Sequence, residues 1–214
     1  MLLNNGTNLN MKHLGKNPLH IFFKFFAADK VDSSLLDLLI SYNCDVNEKD
    51  NDGCSPLFLC FENCNEKYDY DVPQPWEDRI LSKLFYNRKN LEILLKNKAN
   101  INEVFANGQS ILHLFISSDI CQKCWIDVGG CSAFERNTVG IELIKTLLKY
   151  GANVNAKDDS GDSPLHLTVM SNNLNVVELL LAHGADMQSF DFSKLHWSTS
   201  HLDFDWLHQM IRFF

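Results

Sequence analysis

The chain has 214 residues, of which 45% are apolar and 21% charged, with a net charge of −8 and a pI near 5.4. That apolar share is ordinary for a soluble domain, and no stretch approaches the length of roughly 20 apolar residues needed to span a bilayer. The acidic balance argues against a nucleic-acid binder, which needs a basic face to track phosphates, and favours a protein partner with a basic surface. The opening MLLNNGTNLN lacks the basic start and apolar block of a secretory signal, so Asn5-Gly6-Thr7 reads as a chance sequon. Seven cysteines, an odd number scattered along the chain, fit reduced thiols in a cytoplasmic or nuclear compartment better than a disulfide framework.

Taken in order, Met1 to Leu3 read as the tail of a helix that closes at Asn5-Gly6, within a partial unit spanning 1–16. A first full unit, 17–44, opens on NPLH at Asn17, carries extra residues around Ala27 to Ser34, and closes on LLDLLISYNC. The second, 45–99, begins DVNEKDNDGCSPL and ends NLEILLKNKA, with an insertion at 66–88. That insertion combines Tyr68 to Asp71, the Pro73-Gln74-Pro75 break and Trp76; Ile80, Leu81, Leu84 and Phe85 then have helical spacing. The third unit, 100–152, begins NINEVFANGQSILH, has an insertion at 118–139 and ends LIKTLLKYGA. The fourth, 153–185, repeats the second almost word for word, NVNAKDDSGDSPL, and ends VVELLLAHGA. The last, 186–214, loses three residues in its turn and is a degenerate cap. Its Phe190, Phe192, Trp197, Phe204, Trp206, Phe213 and Phe214 form either the inner face of a final helix pair or an exposed interface.

Each unit reads turn, short helix, second helix, turn. Ser55 and Ser163 cap helices whose first residue is Pro56 or Pro164, because serine accepts a bond from an orphan N–H and proline has none to leave unpaired. Gly53, Gly108 and Gly161 mark the preceding turn, and Gly151 and Gly184 close second helices.

The runs SPLHL (Ser163 to Leu167) and VVELLLAHGAD (Val176 to Asp186) resemble the ankyrin repeat. The resemblance implies a mainly α fold: an α-solenoid of β-hairpin plus two antiparallel helices per repeat, in a single domain over 1–214. It implies that His20, His113 and His166 tie neighbouring turns together, and that Phe58 leaves one tie missing. It places the partner surface on hairpin tips and first helices: Asn51, Asp52, Cys54, Glu62 and Asn63; Ala106, Asn107, Gln109, Ser117 and Ser118; Asp159, Ser160, Asp162, Met170 and Ser171. Asp50, Asp52, Asp158, Asp159 and Asp162 give that edge an acidic cast. Tyr68, Tyr70 and Trp76 add a binding loop, since long loops on rigid scaffolds often carry function; alternatively, Ile80, Leu81, Leu84 and Phe85 extend the second unit's helix and pack on the array, and the Tyr-Asp stretch is merely mobile. Asn47, Asn102 and Asn155 resemble hairpin asparagines modified by an oxygen-sensing hydroxylase, and their side chains are expected to bond across the hairpin. Short viral ankyrin proteins and host-range ankyrin proteins with irregular insertions look similar in size or irregularity.

No G-x-S-x-G, Walker glycine loop, H-E-x-x-H or G-x-G-x-x-G occurs, so no enzyme and no cofactor or small-molecule substrate is indicated. His196, His201 and His208 beside Asp203 and Asp205 are explained by the degenerate end unit. DNDG (Asp50 to Gly53) and DSGD (Asp159 to Asp162) lack the terminal glutamate of a calcium loop and coincide with repeat turns. Cys121, Cys124 and Cys131 with His113 supply the donor types of a tetrahedral zinc site, although a single C-x-x-C lacks the second pair that makes such spacing convincing. The expectation is a non-catalytic protein-binding module, acting as adaptor or stoichiometric inhibitor. The alternative is a small metal-binding or redox module on those cysteines.

Overall fold

The structure, a computed structural model, describes residues 12–25, 33–64, 88–117, 133–171 and 173–187. Its helices are α1 (Pro18–Phe25), α2 (Ser34–Ser41), α3 (Pro56–Cys64), α4 (88–96), α5 (Ile111–Ser117), α6 (Ala133–Lys149), α7 (Pro164–Met170) and α8 (Leu174–Ala182). Among the described residues there is no strand, and the fold is mainly α. The expected hairpins are present as turns, each closed by one or two backbone bonds: His13 with Lys16, Asp50 N–H to Cys54 O, Phe105 N–H to Gln109 O and Asp158 N–H to Asp162 O.

The chain forms two compact units, divided between Ile101 and Asn102. In the first, α1 packs against α3 and α2. Leu19, Phe22, Phe23, Leu36, Leu57 and Leu94 are fully buried there, with the Phe22 and Phe23 rings edge to face at 5.1 Å. In the second, α7 lies against α5 and α8, and α6 against the same two helices. Its core is Ile111, Leu112, Leu143, Ile144, Leu147, Leu165 and Leu180.

The helices start as the local chemistry dictates. Ser163 Oγ accepts His166 N–H while the His166 ring accepts Ser163 N–H, a reciprocal cap with Pro164 in the first position. Ser55 Oγ accepts Phe58 N–H at 3.1 Å, and Asn17 Oδ1 does the same for Leu19 and His20. The second helices all end alike. Asn43, Lys98, Gly151 and Gly184 take φ of 60°, 67°, 86° and 84°. The next residue's N–H then reaches back to a carbonyl of the last turn: Cys44 to Leu39, Ala99 to Leu94, Ala152 to Leu147 and Ala185 to Leu180. The closing role read for the two glycines therefore extends to Asn43 and Lys98. Lysine in the left-handed region crowds its Cβ against the following carbonyl, so Lys98→Gly is expected to stabilise the chain by about 1 kcal/mol, read as a higher urea midpoint.

Helix α6 begins at Ala133, so the last part of the segment read as an insertion at 118–139 is helical. The expectations for 1–11, for the 66–87 part of the first insertion, for Cys121, Cys124 and Cys131, and for the aromatic end unit lie outside the described residues.

Candidate protein-binding surface

In two copies the turn before the first helix is built by a carboxylate. Asp50 Oδ1 accepts the N–H groups of Asp52 and Cys54 at 3.0 and 2.9 Å; Asp158 Oδ1 accepts those of Ser160 and Asp162, both at 2.9 Å. In the third copy Phe105 stands at this place, and without a carboxylate the turn becomes a short 3-10 segment, Ala106–Gly108, with Asn107 at φ 60°. Asp50 is also the partner of Lys16, at 3.0 Å, and its side chain is 2% exposed. Burial alone would push its carboxyl up, but the bonds from Cys54, Lys16 and Asp52 outweigh that and hold it below the usual range. Asp50 therefore does not belong to an acidic binding edge: it is a buried, neutralised turn former. Around this turn Lys12 pairs with Glu48, and Lys16 also reaches Asp52 at 3.6 Å. The charge of the first unit's tips is mixed and not acidic.

Imidazoles tie one turn to the next at two places, one within each compact unit. At His113, Ser110 donates its N–H and hydroxyl to Nδ1 (3.1 and 2.7 Å), which leaves the proton on Nε2 to be donated to Asp162 O at 3.0 Å. His20 Nε2 reaches Cys54 O at 3.0 Å in the same way. Burial pushes both rings below the ordinary histidine range, which keeps them neutral in the folded chain. With both nitrogens engaged, His113 has no lone pair for a metal, so its candidacy as a zinc ligand is withdrawn. Among the described residues no cluster of three or more histidine, cysteine or acidic side chains is placed to hold one.

The hairpin asparagines do something the sequence reading missed. Each amide spans to the next helix end. Asn47 donates Nδ2–H to Lys98 O and accepts Asn100 N–H, at 3.0 and 2.7 Å. Asn102 does the same with Gly151 O and Asn153 N–H, and Asn155 with Gly184 O and Asp186 N–H. Only an amide offers a donor and an acceptor side by side, which accounts for asparagine at all three places. Asn102→Ala is expected to cost about 1–2 kcal/mol in thermal unfolding, with Asn102→Asp at least as costly because a carboxylate then faces Gly151 O.

The remaining candidates fall into two groups. Asn51 is exposed yet serves as a spacer, since a Cβ on Gly15 would meet its side chain; Asp159 also lies close to a turn glycine, Gly108, and its N–H donates to Asn107 O, but its side chain is exposed at the tip. Asp52, Asn107 and Ser160 are exposed at the tips, with Gln109 and Asp162 half-buried behind them. Met170, at the end of α7, is 46% exposed. Asp52 belongs to the first compact unit; Asn107, Gln109, Asp159, Ser160, Asp162 and Met170 belong to the second. The side chains of Glu62, Asn63 and Ala106, together with Ser118, Tyr68, Tyr70 and Trp76, lie outside the described residues. Also among the described residues, no helix is long and apolar enough to cross a membrane.

The family model of ankyrin repeats (3 copies) matches residues 131–207. An ankyrin repeat and LEM domain-containing protein 1 homolog of Caenorhabditis elegans is 42% identical over 59 residues, covering 28% of this chain and 8% of that protein. BCL-6 corepressor-like protein 1 of Homo sapiens is 30% identical over 105 residues, 49% of this chain and 5% of that protein. A protein of fowlpox virus described as an ankyrin repeat protein is 28% identical over 125 residues, 49% of this chain and 36% of that protein. The chain thus spans from 5% to 36% of the length of these relatives. Its capped helix pairs, its turns locked by histidine and asparagine, and these matches agree that the chain carries ankyrin repeats, which generally serve in protein–protein interaction.

Proposed function

We propose that this chain is a non-catalytic protein-binding module, acting as an adaptor or a stoichiometric inhibitor through its turn tips. One observation carries the reading. The polar groups that define the repeat (Asp50, Asp158, His20, His113, Asn47, Asn102 and Asn155) are consumed by bonds within the fold, whereas Asp52, Asn107, Asp159 and Ser160 present their side chains to solvent. In the second unit, Asp159 and Asp162 favour a partner with a basic surface, the complementarity that sets specificity and on-rate. The insertion bearing Tyr68, Tyr70 and Trp76 is the second candidate contact.

A crosslinking pull-down with the wild type, a triple reversal (Asp52→Lys, Asp159→Lys, Asp162→Lys) and a deletion of residues 66–74 tests this. We expect a discrete partner that is lost with the triple reversal. A partner retained by the triple reversal and lost with the deletion would move the site to the insertion. A partner retained by both variants would overturn the surface assignment.

A further inference from the structure

The first turn breaks a local rule. His13 N–H donates to Lys16 O at 2.9 Å and Lys16 N–H to His13 O at 3.1 Å, closing a two-residue loop of Leu14 and Gly15. Both loop residues have positive φ, 52° and 78°. Loops of that kind select asparagine, aspartate or glycine at the first place, because other side chains crowd the following carbonyl oxygen. Of the corresponding tip positions, all polar (Asp52, Asn107 and Ser160), only Asn107 shares the positive φ, and there the residue is the favoured asparagine. Leu14 is not of the favoured kind, and nothing in its packing compensates, since it is 80% exposed. The turn that holds it is fixed from below, where Gly15 sits so close to Asn51 that a Cβ would lie 2.2 Å from its side chain. On either side the charges are already paired, Lys12 with Glu48 and Lys16 with Asp50 and Asp52.

A strained, hydrated apolar side chain on a rigid turn costs the free protein twice, once in backbone and once in solvation. Such uncompensated outliers gather at functional sites. We infer that Leu14 is an apolar anchor by which the chain engages a protein partner that offers a leucine-sized apolar pocket with a polar rim. This rests on the binding role proposed above. A buried aliphatic or aromatic anchor surrounded by polar contacts is how few residues come to dominate an interface.

The test uses the full chain carrying a photo-crosslinking benzoylphenylalanine in place of Leu14 or, separately, of Ser160 or Met170. Each is irradiated in cell lysate, and the adduct is identified by mass spectrometry. The captured protein is then purified and its affinity measured for wild type, Leu14→Asn and Asp159→Lys. Leu14→Asn relieves the turn, so its Tm is expected to equal or exceed that of the wild type, and lost binding cannot be ascribed to unfolding. We expect a discrete adduct from position 14 and a Kd raised about tenfold or more by Leu14→Asn. No adduct from position 14, or an unchanged Kd for Leu14→Asn, overturns the anchor. If adducts then form at Ser160 or Met170, the binding role stands without Leu14; if none forms at any position, both proposals fall.

Discussion

Leu147→Ala is expected to lower the unfolding free energy by about 3 kcal/mol, within the range of about 2–5 for emptying a buried leucine site. Leu147 is fully buried on α6, whose neighbours are α5 and α8, and its carbonyl also closes the helix end by accepting Ala152 N–H. The backbone bond survives the substitution, so the loss is one of packing and transfer from water. Leu39 occupies the same place in the first full repeat but is only half-buried. Leu39→Ala should therefore cost about 1 kcal/mol, in proportion to the smaller apolar area it removes from contact. Urea unfolding of the two variants side by side reads the difference directly, and equal losses would mean that repeat position, not burial, sets the cost.

His113→Leu is expected to destabilise by about 2–3 kcal/mol although leucine is the more apolar residue. The ring is fully buried and makes three bonds, so its removal orphans Ser110 N–H and leaves Asp162 O with only the bond from Asp158 N–H among those of the turn. The pH dependence distinguishes this from lost packing. His20 and His113 have folded pKa values held below the ordinary histidine value by burial. Above about pH 6.5 neither state binds the proton and the tie contributes in full. As pH falls through that value the unfolded chain takes up protons that the folded rings resist, so stability is lost on acidification. The wild-type urea midpoint should fall between pH 7.5 and pH 5.5, and His113→Leu should show a smaller fall. A variant with the full wild-type slope would contradict the neutral-ring account.

The sequence made the repeat register legible because its signals are local. Ser163-Pro164 fixes a cap within four residues, and a glycine at positive φ marks a turn or a helix end on its own. The histidine ties were legible through the family resemblance. What escaped depends on partners far along the chain. Asn102 looks like any turn asparagine until Gly151 and Asn153 are brought to it across about fifty residues. Asp50 looks like a solvated acid until Lys16, 34 residues earlier, is laid against it. Lys98 gives no hint that it takes a conformation suited to glycine, because a helix end held by packing can impose it. Leu39 and Leu147 are indistinguishable in sequence, and only neighbouring helices decide which of them is buried. For the binding surface, sequence register located the exposed tips but could not separate spacers such as Asn51 from tips such as Asp52.

In the proposed function, bonded asparagines and histidines hold the frame while exposed turn tips engage a protein. Thermal unfolding paired with affinity for the captured partner separates the two roles, for Asp159→Lys with Asp162→Lys on one side and Asn102→Ala on the other. The tip reversal is expected to leave Tm nearly unchanged and abolish binding, while Asn102→Ala lowers Tm by several degrees and, below its transition, binds as the wild type does. A tip reversal that melts early, or that binds with wild-type affinity, would contradict the proposed function.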